Sequence, residues 1–168
     1  MGHALSPFCT CQKPLTTWTD TFLGYTHAER QAMLAHWGIT ECSCAMCAAG
    51  PSEIRLSDQR RERLFELHAT LSAAAENPES LPRERIDELV KETLKLIDEE
   101  ELDPQLVEYY QVFARVYLAL GDRRKAKEHI GLAEEKWVWY EGVEHSNIEG
   151  IKVLWKELEE LEDEEEEW

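Results

Sequence analysis

From Pro51 onward, apolar residues recur three and four positions apart, and the interruptions fall at prolines and glycines, a pattern that predicts five consecutive helices. The first is predicted over residues 54–77, with Ile54, Leu64, Phe65, Leu67, Leu71 and Ala74 on one side, the polar run SDQRRER on the other, and a stop at Asn77-Pro78. Pro82, at a first-turn position, opens a second, spaced by Ile86, Leu89, Val90, Leu94 and Ile97. Asp103-Pro104 opens a third that ends at Gly121, and Asp122 caps a fourth running through Tyr140. A fifth begins near His145 or Ser146 and carries Ile148, Ile151, Leu154, Trp155, Leu158 and Leu161.

Upstream of Pro51 the pattern changes. Residues 1–14 follow neither period and read as an irregular lead, and residues 15–26 read as a short extended piece closing in a loop at Gly24. Thr26 then begins a helix, with Glu29 three residues later completing a capping box and Ala28, Met33, Leu34 and Trp37 on one broad face. Gly38 ends it. Trp37 reads as a core anchor. Straight afterwards come Cys42, Cys44 and Cys47 at the spacing C-x-C-x2-C. Three thiols this close exceed any need of packing and suit one tetrahedral zinc ion, which takes four soft ligands and leaves one to come from elsewhere, Cys9 or Cys11 being the other cysteines of the chain.

The run Arg30-x3-Leu34-x2-Trp37, a turn at Gly38-Ile39-Thr40 and then C-x-C-x2-C resembles the end of a SET domain and its post-SET zinc module, of the SET-and-MYND and related fungal type. The resemblance covers residues 16–75 well and the rest in general character. It implies a protein-lysine methyltransferase that uses S-adenosylmethionine, with a helical carboxy-terminal region after the zinc module. It also implies a Gly-rich cofactor segment, an Asn-His pair, a Gly-Glu-Glu turn and a catalytic tyrosine. The chain has no G-x-G, and its two asparagines precede Pro78 and Ile148. The tyrosine's position falls at or near Trp18, and Tyr25 lies seven residues beyond it. The expectation is therefore a carboxy-terminal fragment, inactive alone, with no catalytic or cofactor-binding residue of its own. In the resembled family the fourth zinc cysteine comes from a segment without a counterpart here.

Within the helical region, Tyr110, Phe113, Ala114, Tyr117, Gly121, Ala126, Ile130 and Ala133 resemble one tetratricopeptide unit, where small residues let two antiparallel helices approach and aromatics fill beside them. The preceding pair matches in rhythm only, and a generic antiparallel bundle is the competing description. The expected fold is mainly α: an irregular lead over 1–15, the end of a SET domain with its zinc module over 16–50, and a tetratricopeptide-like helical region with an acidic tail over 51–168. The alternative function is a non-catalytic helical protein–protein interaction module stapled by a structural zinc.

Charge and cysteine usage narrow the partners. The net charge of −17, from 35 acidic and 18 basic residues, argues against nucleic acid and is compatible with a protein or a lysine-rich peptide. Residues 157–167 are nearly all acidic, and like charges one turn apart predict a frayed, solvated tail. Five cysteines confined to the first 47 residues, with no apolar leader and no run of about twenty apolar residues, point to a reducing, intracellular setting in cytoplasm or nucleus and to no transmembrane segment. The start fits M-G-x-x-x-S, the myristoylation pattern, through Gly2 and Ser6, although no polybasic segment follows to support an anchor. The six histidines are scattered and read as surface or cap residues, and no nucleophile–base pair emerges.

Overall fold

The computed structural model describes residues 25–36, 38–40, 42, 45–141 and 148–166. They form six α-helices: α1 (His27–His36), α2 (Pro51–Glu76), α3 (Arg83–Glu99), α4 (Leu106–Ala119), α5 (Arg123–Glu141) and α6 (Ile148–Glu166), with short 3-10 turns at Pro78–Ser80 and Asp103–Gln105. No strand occurs among the described residues, so the protein is mainly α. The extended piece predicted before Gly24, and the start of the fifth predicted helix at His145 or Ser146, lie outside them. Asp103-Pro104 builds a 3-10 turn, and the helix proper starts at Leu106. At the other end α6 continues to Glu166, so the acidic run is helical where a frayed tail was expected.

The chain divides into two compact units, residues 1–65 and 66–168, with the boundary inside α2. The second is organised around α4, which is apolar on nearly every side and buries Tyr109, Val112, Phe113, Ala114, Val116 and Tyr117. α4 turns directly into α5, and their backbones approach closely because Ala114, Ala126 and Ala133 at the contact are small and fully covered. α6 lays Ile151, Leu154 and Leu158 inward and packs against both α5 and α4. In α3, Ile86, Leu89, Val90 and Ile97 are buried as predicted. Thr93 takes the inner place expected of Leu94, and its hydroxyl donates to Leu89 O at 2.8 Å, which removes the cost of burying it.

Three helices end with the same hydrogen-bond device. In α1, Gly38 N donates to Ala35 O and Ile39 N to Leu34 O; in α4, Gly121 N donates to Leu118 O and Asp122 N to Tyr117 O. In α3, Glu101 N donates to Asp98 O and Leu102 N to Ile97 O. This Schellman pattern places the residue after the cap in the left-handed region, at φ +77° for Gly38, +69° for Gly121 and +52° for Glu101. The two glycines meet that demand without a Cβ; Glu101 carries one. Asp122 serves the next helix as well, accepting from Lys125 N at 3.1 Å as the predicted cap of α5.

The first unit contains α1 and the beginning of α2. The capping box forms as predicted: Thr26 N donates to Glu29 Oε2 at 2.7 Å, and Glu29 N donates to Thr26 Oγ1 at 3.4 Å. Asp58 on α2 accepts from His27 N at 2.6 Å and ties the start of α1 to α2. The inward face of α1 differs from the predicted one. Arg30 and Leu34 are buried, whereas Ala28 and Met33 are exposed, because Arg30 and Leu34 stand one turn apart and Met33 is rotated away from that line. In α2, Phe65 is 69% exposed, and the inner line runs through Ser57, Arg61 and Leu64, so the supposedly solvated SDQRRER run contributes two covered residues.

Candidate functional site

Two places carry chemistry. The first is the stretch after α1. The chain leaves that helix through Gly38 and Ile39 and reaches Cys42 and Cys47, both half-buried, before Gly50 N donates to Glu53 Oε2 at 3.0 Å and α2 begins. Cys44 lies outside the described residues, as do Cys9, Cys11, Gly2, Trp18 and Trp37, so the predicted three-thiol set has two members in view. Among the described residues, no three His, Cys, Asp or Glu side chains gather at metal-binding range. The donors in view are two partly covered thiols, Cys47 in a run of turns, and thiols are soft donors of the kind a zinc ion takes.

Beside this segment Arg30 is only 3% exposed. Its Nη1 donates to Tyr25 O at 2.5 Å, while Nε and Nη2 find no acceptor among the described residues. Covering a guanidinium costs several kcal/mol unless its donors are matched. Tyr25 itself sits just before α1 in non-helical backbone, and burial, then the carboxylate of Glu29, raises its hydroxyl above the ordinary tyrosine value.

The second place is an aromatic and polar cluster on α3, α4 and α5. Tyr117 Oη donates to Asp87 Oδ1 at 2.7 Å, and Lys125 Nζ reaches the same oxygen at 2.6 Å while lying 4.8 Å from the centre of the Tyr117 ring. Arg83 pairs with Asp122 alongside. Burial pushes the Asp87 carboxyl up, but hydrogen bonds from Lys125 and Tyr117 and the charges of Lys125 and Arg83 outweigh it and leave the group below its ordinary value. Tyr117 is raised, by burial first and by Asp87 next.

His129 on α5 lies between the rings of Tyr117 and Tyr110, at 5.4 and 5.8 Å, with Phe113 edge-on at 5.3 Å. It is 8% exposed, a core residue where sequence placed a surface or cap histidine, because its position one turn after Lys125 and one turn before Ala133 faces α4. His68, half-buried on α2, meets the edge of Tyr109 at 5.6 Å and is also no surface residue. Both imidazoles are pushed below the ordinary histidine value, chiefly by burial. The signal for His129 was available in its spacing: with Ala126, Ile130 and Ala133 it completes an inward helical face.

The polar edge of this second cluster is partly exposed through Lys125 and Asp87. A small groove elsewhere, lined by Ser72, Ala75 and Glu76 of α2 and Val112 and Arg115 of α4, has a volume of about 120 Å³, enough for a few waters and too little for a cofactor. No helix among the described residues is long and apolar enough to cross a membrane. Comparisons with known protein families, curated proteins and solved structures give no match for this chain.

Proposed function

We propose that this chain is the carboxy-terminal part of a SET-domain protein-lysine N-methyltransferase, dependent on S-adenosylmethionine and acting on histone or other protein lysines. In this reading it carries the post-SET zinc module and the helical region and transfers no methyl group alone. The observation that carries the proposal is the local architecture around α1: Arg30 and Leu34 turned inward, a Schellman turn at Gly38, and a chain then led into Cys42 and Cys47. Arg30, Leu34, Gly38, Cys42 and Cys47 follow one another along the chain in the order of the resembled motif. Cys42, Cys44 and Cys47 would hold the zinc, whose chemistry here is structural, binding residues on either side of it into one fold.

A second reading, a non-catalytic tetratricopeptide-like interaction module, is favoured by α4 and α5. Tyr110, Phe113, Ala114, Tyr117, Ala126, Ile130 and Ala133 are all buried, and Gly121 takes the positive φ of the turn. Neither reading gives this chain a cofactor-binding residue of its own, so saturable binding of S-adenosylmethionine by calorimetry would contradict both as they stand.

Elemental analysis tests the zinc that both readings share. One zinc per chain in the wild type, reduced in Cys44→Ser, is the expected result. Equal zinc in both, or none in either, removes the post-SET assignment. Methylation of a histone peptide above background by the purified chain contradicts the claim that it is inactive alone.

A further inference from the structure

We infer that His129 is an acid-sensitive latch between α4 and α5, holding the helix pair shut while its imidazole is neutral and loosening it when the ring takes a second proton. The ring is stacked nearly parallel to Tyr117, at 10°, and to Tyr110, at 23°, and Phe113 closes a third side. Its Nδ1 is buried and has no hydrogen-bond partner among the described residues. A bare ring lone pair tolerates that place. An N–H on a cation does not, because a buried donor on a charged group without an acceptor loses its hydration and regains nothing.

The surrounding charges come from three helices. α5 contributes Lys125, one turn before His129, which opposes a second cation, and Glu128, which favours one but is itself 58% exposed and so screened by solvent. α4 contributes Tyr110 and Tyr117, both raised and therefore neutral throughout the range in which histidine titrates. α3 contributes Arg83 and Asp87; the Asp87 carboxylate is already shared by Tyr117 and Lys125 and is directed at them. The faces of Tyr110 and Tyr117 offer some attraction to an imidazolium. Burial outweighs it, and the ring stays easier to deprotonate than in water.

The sign follows. With the folded value depressed, the contribution of His129 is complete above the unfolded value near about 6.5. It declines as pH falls below that, and levels off once pH passes the folded value, since below it both states bind the proton. Acid therefore weakens the contact between α4 and α5 across a range in which Asp87, depressed below its own ordinary value, is still ionised.

Urea unfolding of the full chain at a series of pH values from 7.5 to 5.0, beside His129→Phe, reads this directly. The wild-type unfolding constant is expected to rise with acid more steeply than that of His129→Phe, by up to roughly tenfold per pH unit, the slope for one proton. Because His68 is present in both proteins, its own contribution cancels in the difference. Should His129→Phe fail to fold, His129→Gln takes its place, and titration of the His129 ring by NMR in the wild type stands independently of any variant. A ring value below the unfolded one of about 6.5, with diverging profiles, supports the latch. Parallel profiles, or a ring value at or above about 6.5, overturn it.

Discussion

Among the described residues of the first unit, the covered side chains are Arg30, Leu34, Ser57, Arg61 and Leu64; the second unit covers Tyr109, Phe113, Tyr117, Ile86, Ile97, Ile130, Ile151 and many more. Among the described residues, three of the five covered side chains of the first unit are polar, whereas those of the second are mostly apolar. A fully covered large apolar side chain contributes about 1.5 to 3 kcal/mol, so the second unit has ample reason to fold on its own. The covered residues described in the first unit include two apolar side chains and two guanidinium groups, and covering a guanidinium carries a desolvation cost. What the difference teaches is where a staple would act: the cysteines lie entirely in the first unit, so a metal held by them would contribute to the folding of that unit.

That contrast is broken most forcefully from inside α4. Phe113→Ala should destabilise the second unit by about 3 to 5 kcal/mol, the range for emptying a large aromatic site in a close-packed core, and leave the zinc content of the chain unchanged. Chemical denaturation followed by far-ultraviolet circular dichroism, with metal analysis of the same sample, measures both. A loss of zinc together with the helices would mean that the two units do not stand apart.

A smaller effect sharpens the comparison through the shared helix endings. Gly121→Val should cost roughly 1 to 3 kcal/mol, because a branched side chain is forced to φ +69° although open space surrounds the Cβ position. Glu101→Gly should act in reverse and raise stability by about 0.5 to 1 kcal/mol, relieving the strain of a side chain at φ +52°. Denaturation midpoints that fail to move in opposite directions would show that the turns are held by something other than their backbone geometry.

Smaller again is the polar cluster. Asp87→Asn leaves Lys125 and Tyr117 with a weaker acceptor at a partly exposed site and should cost about 0.5 to 1.5 kcal/mol at pH 7. Because the folded carboxyl lies below its unfolded value, its contribution is present above pH about 4 and is lost as pH falls through the folded value. The wild-type advantage over Asp87→Asn should therefore vanish in strong acid, separately from the histidine range. An advantage that persists there contradicts the ionised pair.

How much of this was legible from sequence differs between the units as well. Helix count, both glycine turns, the Thr26–Glu29 box and the Asp122 cap follow from local chemistry, and α3, α4 and α5 bury most of their predicted inner residues, while α6 buries Ile151, Leu154 and Leu158 and leaves Ile148, Trp155 and Leu161 half-buried. The misses share a cause. Arg30, Ser57, Arg61, Thr93 and His129 are polar residues on inward faces, and a pattern that sorts by hydropathy sends such residues to solvent. Met33 and Phe65 are the converse, apolar side chains that tertiary packing leaves outside. Helix phase could have found Arg30 and His129, each one turn from a buried apolar residue on the same line. For the cysteines, spacing gives the ligand type and cannot give the fourth ligand, which depends on a long-range approach that local pattern does not encode.

We propose that a metal holds the first unit, while buried apolar side chains hold the second. Amide hydrogen exchange across the full chain, with and without a zinc chelator, tests it residue by residue. The account predicts that chelation speeds exchange in α1 and in residues 38–50 while α3, α4 and α5 keep their protection. Unchanged exchange in α1, or a loss of protection spread evenly through all six helices, would contradict it.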